Sequence, residues 1–145
     1  MIRRATPADA TRIRAITESA YSKYIPRIGR RPAPMDVDVD AQIAEGLLWV
    51  WDAGGILGAV VFYPEGEAMH LNALAVAPEA TGQGLGRKLI AFVESEARRA
   101  GLSKVALYTN AKMTENLAMY PYLGFTEINR RTEDGFDRVF YEKPV

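Results

Sequence analysis

Cysteine is absent from this 145-residue chain, and that one absence removes disulfides and thiolate chemistry together. Surplus charge is absent as well: 18 Lys and Arg balance 18 Asp and Glu. Sequence-independent binding to nucleic acid or to an anionic membrane needs excess basic charge, so neither partner is expected. No apolar run approaches the roughly 20 residues of a bilayer span. The charged start "MIRRATPADATRI" leads into no apolar stretch of the kind a secretory signal carries. Low-complexity segments, internal repeats and linkers are missing, and His70 is the lone histidine, so no metal site is expected. One domain over residues 1–145 is expected, long enough to bury its own core, and a cytoplasmic protein is the expectation with which these absences are compatible.

What is present reads as alternating elements. Residues 1 to 5 can form a short strand. "TPADATRIRAITESAY" reads as a helix, with Thr6 as its cap, Pro7 in the first helical position and Asp9 at the positive end of the dipole. Ile13, Ile16, Ala20 and Tyr24 recur at helical spacing as one apolar stripe. "IPRIGRRPAPM" reads as a restricted loop, and a short second helix is expected over residues 35 to 45, stopping at Gly46. "LLWVWDAGGILGAVVFYPEG" reads as two strands turning at Asp52 to Gly55, "AMHLNALAVAP" and "KVALYTN" as further strands, and "FTEINRRTEDGFDRVFYEKP" as a final hairpin turning at Asp134 and Gly135. Strand, two helices, three strands, helix, strand, short helix and two strands make a mixed α/β sheet rather than a doubly wound one.

The segment "APEATGQGLGRKLIAF", residues 77 to 92, links a strand to a helix whose apolar face is Leu85, Leu89, Phe92, Val93, Ala97 and Ala100. A helix N-terminus offers unpaired amides and a positive dipole end, and glycines let an anion approach that backbone. The first turn carries Arg87 and Lys88 but no acid, an arrangement that a bound phosphate would relieve. A glycine-rich turn with solvated basic side chains is the plainer alternative. An ATP-type loop requires Lys-Ser or Lys-Thr after its last glycine, and "GLGRKL" has neither. The dinucleotide fingerprint requires G-x-G-x-x-G and an acid closing the next strand, whereas Gly82, Gly84 and Gly86 alternate and that strand ends Tyr108, Thr109, Asn110.

"LAVAPEATGQGLGRKLI" resembles the coenzyme A pyrophosphate loop of the GNAT superfamily of N-acetyltransferases, and "NLAMYPYLGF", residues 116 to 125, resembles that superfamily's second landmark. The element order is similar along essentially the whole chain. The resemblance implies an α/β (α+β) fold: one GNAT-like domain with a mixed, mostly antiparallel sheet of about seven strands, helices on both faces and a splay between strands four and five. It implies acetyl-coenzyme A as co-substrate, with Thr81, Gly82, Gln83, Gly84, Leu85, Gly86 and Arg87 at the pyrophosphate and Leu74, Ala75 and Val76 along the pantetheine arm. Asn110 and Asn116 are further contacts to that arm. The chain departs from the family pattern at Thr81, where many members carry Arg or Gln, and at Asn72, where many carry an acid on the fourth strand.

The chemistry so implied is direct acetyl transfer from the thioester to a primary amine of a small molecule or amino-acid-like acceptor. Tyr120 corresponds to the tyrosine that donates to the departing thiolate in many relatives, and an amide near Ala75 is placed to polarise the carbonyl. Pro121 disfavours a helical backbone at Tyr120, which puts the phenol at a helix end; a core aromatic is the alternative. His70 and Asn72 alternate with Leu74 and Val76 and so are expected on one face. His70 has a suitable ordinary pKa for a base and Asn72 can orient a water, while a structural polar histidine is the other reading. The acceptor pocket is expected from the first two helices, with Tyr21, Tyr24 and the run Arg27, Arg30, Arg31, Asp36, Asp38, Asp40 nearby; solvated surface explains most of those charges equally. The resemblance also allows a homodimer along the last hairpin's edge. A non-catalytic acyl-coenzyme A sensor or interaction domain is the second reading, and a nucleotide-binding domain the third.

Overall fold

The strands are β1 (Ile2–Arg4), β2 (Leu48–Asp52), β3 (Ile56–Glu65), β4 (Ala68–Val76), β5 (Lys104–Asn110), β6 (Thr126–Glu133) and β7 (Phe136–Pro144). The helices are α1 (Ala10–Tyr21), α2 (Ile25–Ile28), α3 (Val39–Ala44), α4 (Leu85–Arg99) and α5 (Thr114–Tyr122). The structure is a computed structural model that describes Met1–Val145. All seven strands join one sheet in the order β1-β2-β3-β4-β5-β7-β6. The β4–β5 pair is parallel, and β1–β2, β2–β3, β5–β7 and β6–β7 are antiparallel, which makes the mixed, mostly antiparallel sheet expected. Packing divides the chain into two units, Met1–Phe62 with Ala73–Ala91, and Tyr63–Asn72 with Phe92–Val145.

In the first unit, Ile13 and Ile16 of α1 and Val39 and Ile43 of α3 bury against Leu48, Val50, Ala59, Val61 and Ala75. Truncating a residue as enclosed as Ile16 to Ala would cost about 2–5 kcal/mol. On the opposite face of β3, a methyl group at Gly58 would lie 3.0 Å from Leu89 and 3.3 Å from Leu85, so α4 covers that face closely. Helices therefore flank this part of the sheet on both sides, and Gly58 is what lets α4 settle so near the backbone. In the second unit, Val105, Leu107, Val139 and Tyr141 of β5 and β7 are buried together with Val93 and Ala97 of α4. Glu94 is buried on this helix too, its charge met by Lys143 Nζ at 3.0 Å and Arg98 at 3.8 Å. Ala100, expected on the apolar face, is exposed, while Ile90 joins the core.

Local chemistry explains where the elements differ from expectation. The first helix begins as a tight turn over Pro7–Asp9. There Thr6 stands at the cap position in extended backbone, as expected, and the Asp9 carboxylate reaches back to accept from the Thr6 N–H at 2.7 Å and from its hydroxyl at 3.1 Å. The expected loop "IPRIGRRPAPM" contains the helical turn α2, because Pro26 sits where a helix has no N–H partner to lose. Gly29 ends that turn in the left-handed region at φ 84°. The helix expected over residues 35 to 45 is shorter. Ala33–Asp36 forms a separate tight turn, and Asp38, in extended backbone, accepts from the Ala41 N–H at 3.0 Å and so starts α3 at Val39. Both hairpins turn where expected, with Asp134 and Gly135 left-handed at φ 54° and 79°.

Candidate functional site

The strand that leads into the glycine segment loses its partner before it ends. The parallel ladder runs from Ala68–Lys104 to Leu71–Leu107, although β4 continues to Val76 and β5 to Asn110. The splay expected between strands four and five is present, and β4 from Asn72 onward has backbone that β5 does not pair. A phenol steadies this stretch: the Tyr21 hydroxyl donates to the Leu74 carbonyl at 2.8 Å. Burial pushes that phenol up to about 12, so it stays a donor throughout the physiological range.

After β4 the chain makes a tight turn over Pro78–Ala80 and then uses left-handed glycines at Gly82 (φ 84°) and Gly84 (φ 75°). A side chain at either would meet nothing within 4 Å, so the surface there is open backbone. The Lys88 N–H donates to the Gly84 carbonyl at 3.1 Å, the first helical bond of α4, so the amides of Leu85 and Gly86 precede the ladder and belong to the positive end of the dipole. Gly86 lies inside α4, where a methyl would sit 3.9 Å from both Leu74 and Val76. The first turn holds no acid, as expected, and the Lys88 ammonium lies 5.4 Å from the Trp51 ring centroid. Thr81 and Gln83 are committed locally: the Thr81 hydroxyl donates to the Ala77 carbonyl at 3.2 Å and the Gln83 amide to the Glu79 carbonyl at 3.3 Å.

The second landmark is α5. Its C-terminus is a full left-handed cap. The Phe125 N–H donates to the Tyr120 carbonyl at 3.0 Å, the Gly124 N–H to the Pro121 carbonyl at 3.0 Å, and Gly124 has φ 97°. Tyr120 is itself helical, which corrects the non-helical backbone expected before Pro121; both residues lie in the last turn, so the phenol is at the helix end as expected. The ring is 6 % exposed and packs edge-on to Phe125 at 5.7 Å and against Tyr141 at 5.7 Å. Asn110 and Asn116 both brace the β5–α5 connection. Asn110 Oδ1 accepts from the Lys112 N–H at 2.9 Å, and Asn116 Nδ2 donates to the Thr109 hydroxyl at 3.1 Å.

His70 is buried between two tyrosines, 5.3 Å from the Tyr63 ring and 5.7 Å from Tyr108. Burial lowers its pKa, opposed by the charge of Glu65, so the imidazole is neutral near neutrality. Asn72 Nδ2 lies 3.5 Å from the Tyr63 hydroxyl, a long contact. His70 and Asn72 thus gather around Tyr63, and Leu74 and Val76, further along β4, lie near Gly86 of α4. Tyr63 was not singled out from sequence, although a hairpin turning at Gly66 aligns it with His70. Of the charged run, Arg31 pairs with Glu18 at 3.2 Å and Asp36 at 2.9 Å, Asp40 pairs with Arg14, and Asp38 caps α3, so these residues are surface structure. Tyr24 is buried, 6.3 Å from the ring of Tyr21.

Residues 12–125 match the acetyltransferase (GNAT) family, and the chain belongs to it. Among curated relatives it is similar to an IAA acetyltransferase from Azospirillum brasilense, 34 % identical over 90 residues that cover 61 % of this chain and 59 % of the relative. The matches span less than two thirds of the length of the curated relatives concerned. Among solved structures, the paia N-acetyltransferase from Thermoplasma acidophilum in complex with coenzyme A superposes with a TM-score of 0.77 at 16 % identity, covering 100 % of this chain and 98 % of that one. A ribosomal-protein-alanine N-acetyltransferase from Brucella melitensis superposes with a TM-score of 0.72 at 23 % identity, covering 100 % and 99 %. At these identities the likeness establishes the fold.

Proposed function

We propose that the whole chain is one acetyltransferase domain that moves an acetyl group from acetyl-coenzyme A directly to a primary amine of a small molecule. The observation that carries this reading is the open glycine backbone at Gly82 and Gly84 in front of an α4 first turn that holds basic residues and no acid. Acetyl-coenzyme A supplies an activated acyl group as a thioester. Leu85 and Gly86 offer amides to its pyrophosphate, and the unpaired edge of β4 from Leu74 to Val76 offers backbone to its pantetheine arm. Gln83 keeps the second N–H of its amide for the pyrophosphate, and Thr81, its hydroxyl used within the loop, shapes the turn that precedes it. Asn110 keeps its Nδ2 and Asn116 its Oδ1 for the same arm.

The reaction forms a C–N bond and breaks the C–S bond. An amide of β4 near Ala75 polarises the thioester carbonyl as charge gathers on its oxygen. The nitrogen loses one proton, for which the neutral imidazole of His70, directly or through a water held by Asn72, is the acceptor. The sulfur gains one, for which the Tyr120 phenol is the donor. No helix is long and apolar enough to cross a membrane, and we read the protein as a cytoplasmic enzyme that engages neither membrane nor nucleic acid. A second copy pairing along the exposed edge strand β6 is the oligomer this reading favours.

Two measurements test the proposal. Acetyl-coenzyme A at about 100 times its Kd stabilises the fold by about 2.7 kcal/mol, and ATP or NAD at the same concentration raises Tm much less. Free thiol release with an amine panel then separates transfer from sensing. Stabilisation by acetyl-coenzyme A without thiol release on any amine means the protein is a sensor, and a larger shift with NAD removes the loop assignment.

A further inference from the structure

Which backbone groups β4 turns to its free edge follows from where the others go. The Ala77 N–H donates to the Leu57 carbonyl of β3 at 2.8 Å, and the Ala75 carbonyl lies 3.4 Å from where a methyl at Gly58 would sit, so Ala75 and Ala77 turn towards β3. The N–H and C=O of one strand residue share an edge, and those of the next take the other. Leu74 and Val76 therefore turn theirs to the edge that β5 leaves unpaired. Leu74 is held by two helices. Its side chain lies 3.9 Å from where a methyl at Gly86 of α4 would sit, and its carbonyl accepts from the Tyr21 hydroxyl at 2.8 Å. Tyr21 is the last residue of α1, packs against the core of the first unit and stays a phenol throughout the physiological range.

We propose, resting on the acetyl-transfer reading above, that Tyr21 is a positioning residue: it holds the Leu74 carbonyl so that the Leu74 N–H beside it is the group the thioester oxygen meets. Leu74 shows the free edge a donor and an acceptor side by side. As the amine attacks, the thioester oxygen gains negative charge, which an N–H stabilises and a bare C=O dipole opposes. The Tyr21 O–H answers that opposing dipole and fixes the angle at which Leu74 stands. A donor set in place before the reaction costs no reorganisation during it. The Ala75 N–H cannot serve, because Ala75 turns towards β3. Tyr21 exchanges no proton. The C–N bond forms, the C–S bond breaks, and the proton movements stay with the groups named above.

The test reads the thioester carbonyl itself. Acetyl-coenzyme A carrying carbon-13 at the acetyl carbonyl is bound to the full chain, and its infrared carbonyl band is compared with that of the free cofactor in the same buffer. The wild-type band is expected at lower frequency, because a hydrogen bond to the oxygen weakens the C=O bond. Tyr21→Phe keeps the ring and loses the hydroxyl, so its band should return towards the free position. With the amine of the panel that releases thiol fastest, its kcat should fall about tenfold, less than the loss of a direct oxyanion donor. KM for acetyl-coenzyme A should stay within about twofold. Asp9→Asn, which loses stability through the Arg3 ion pair, is the control and should keep the wild-type band and kcat. A wild-type band at the free position, or one that Tyr21→Phe leaves unmoved, overturns the inference and leaves the transfer reading intact. So does an equal shift in Asp9→Asn, or a rise in KM at constant kcat. Acetyl-coenzyme A that does not bind, or that binds without thiol release on any amine, overturns both.

Discussion

The Tyr21 hydroxyl holds the Leu74 carbonyl at 2.8 Å across 53 positions of sequence, tying the end of α1 to the strand that the cofactor is proposed to use. Tyr21→Phe keeps the ring and leaves that carbonyl unanswered, which costs about 1 kcal/mol and lowers Tm by about 3 °C. The pH dependence has a definite sign. A phenol pushed up to about 12 in the folded state, against an ordinary value of 10.0, contributes stability that is complete below pH 10 and lost as the pH rises towards 12. Thermal unfolding of both proteins should show a gap that is constant up to pH 10 and closes above it. A gap that persists unchanged to pH 12 contradicts the assignment.

The glycine loop divides into positions that test folding and one that tests binding. Gly84→Val places a β-branched residue at φ 75°, so it strains the backbone and confounds stability with affinity. Gly86→Ala is the cleaner change, because the added methyl finds only ordinary contacts at 3.9 Å inside a helix. Stability should be unchanged or up to about 1 kcal/mol higher, while acetyl-coenzyme A affinity falls on the order of tenfold, a loss of about 1.4 kcal/mol. Calorimetric titration reads this directly. Undiminished affinity in Gly86→Ala would show that the cofactor does not approach the helix there.

Acid stability should depend on Asp9. The Arg3 guanidinium, 2.8 Å away, holds its carboxyl down at about 2, against an ordinary 3.8, with the Thr6 N–H and hydroxyl adding to the effect. A depressed carboxyl contributes stability that is present above the ordinary value and lost as the pH falls through 4 towards 2. Discounted for solvent screening, the contribution is on the order of 1 kcal/mol. Asp9→Asn should therefore be less stable than wild type at pH 7 and nearly equal to it at pH 2. Denaturant unfolding at the two pH values checks this, and an equal gap at both would place the stabilisation elsewhere.

Which features sequence exposes follows from how local their causes are. The hairpins at Asp52 to Gly55 and at Asp134 and Gly135, and the glycine segment ahead of α4, rest on residues that set their own φ, so they read directly. The start of α3 rests on Asp38 choosing to cap rather than to continue a helix, a competition that spacing alone does not decide. Burial of Glu94 depends on Lys143 from β7, 49 positions away, and the Tyr21–Leu74 bond on a comparable separation. His70 illustrates the division at the candidate site: its residue type is legible, but its seat between Tyr63 and Tyr108 requires the sheet order. As a cofactor loop and an acid, the glycine segment and Tyr120 are singled out only by the family landmarks, not by a local physical signal.

Tyr120 and His70 carry the proposed proton transfers, and their variants separate acid from base. Tyr120→Phe preserves a ring packed against Phe125 and Tyr141 and removes only the hydroxyl. Acid assistance is worth about 100-fold to 10,000-fold, and a thiolate leaves readily enough that turnover should fall on the order of 100-fold, the lower end. Coenzyme A affinity should change little, because a contact used mainly in the transition state lowers rate more than binding. For His70 the pH profile is the discriminating measurement. Burial lowers its pKa, so its basic form dominates at neutrality, and kcat/KM should rise with pH along a limb centred below 6.5. His70→Gln should abolish that limb and depress the plateau, whereas Tyr120→Phe should keep the limb and depress only the rate. If Tyr120→Phe turns over at nearly the wild-type rate while His70→Gln is inactive, the phenol is a core residue, and the leaving sulfur takes its proton from solvent.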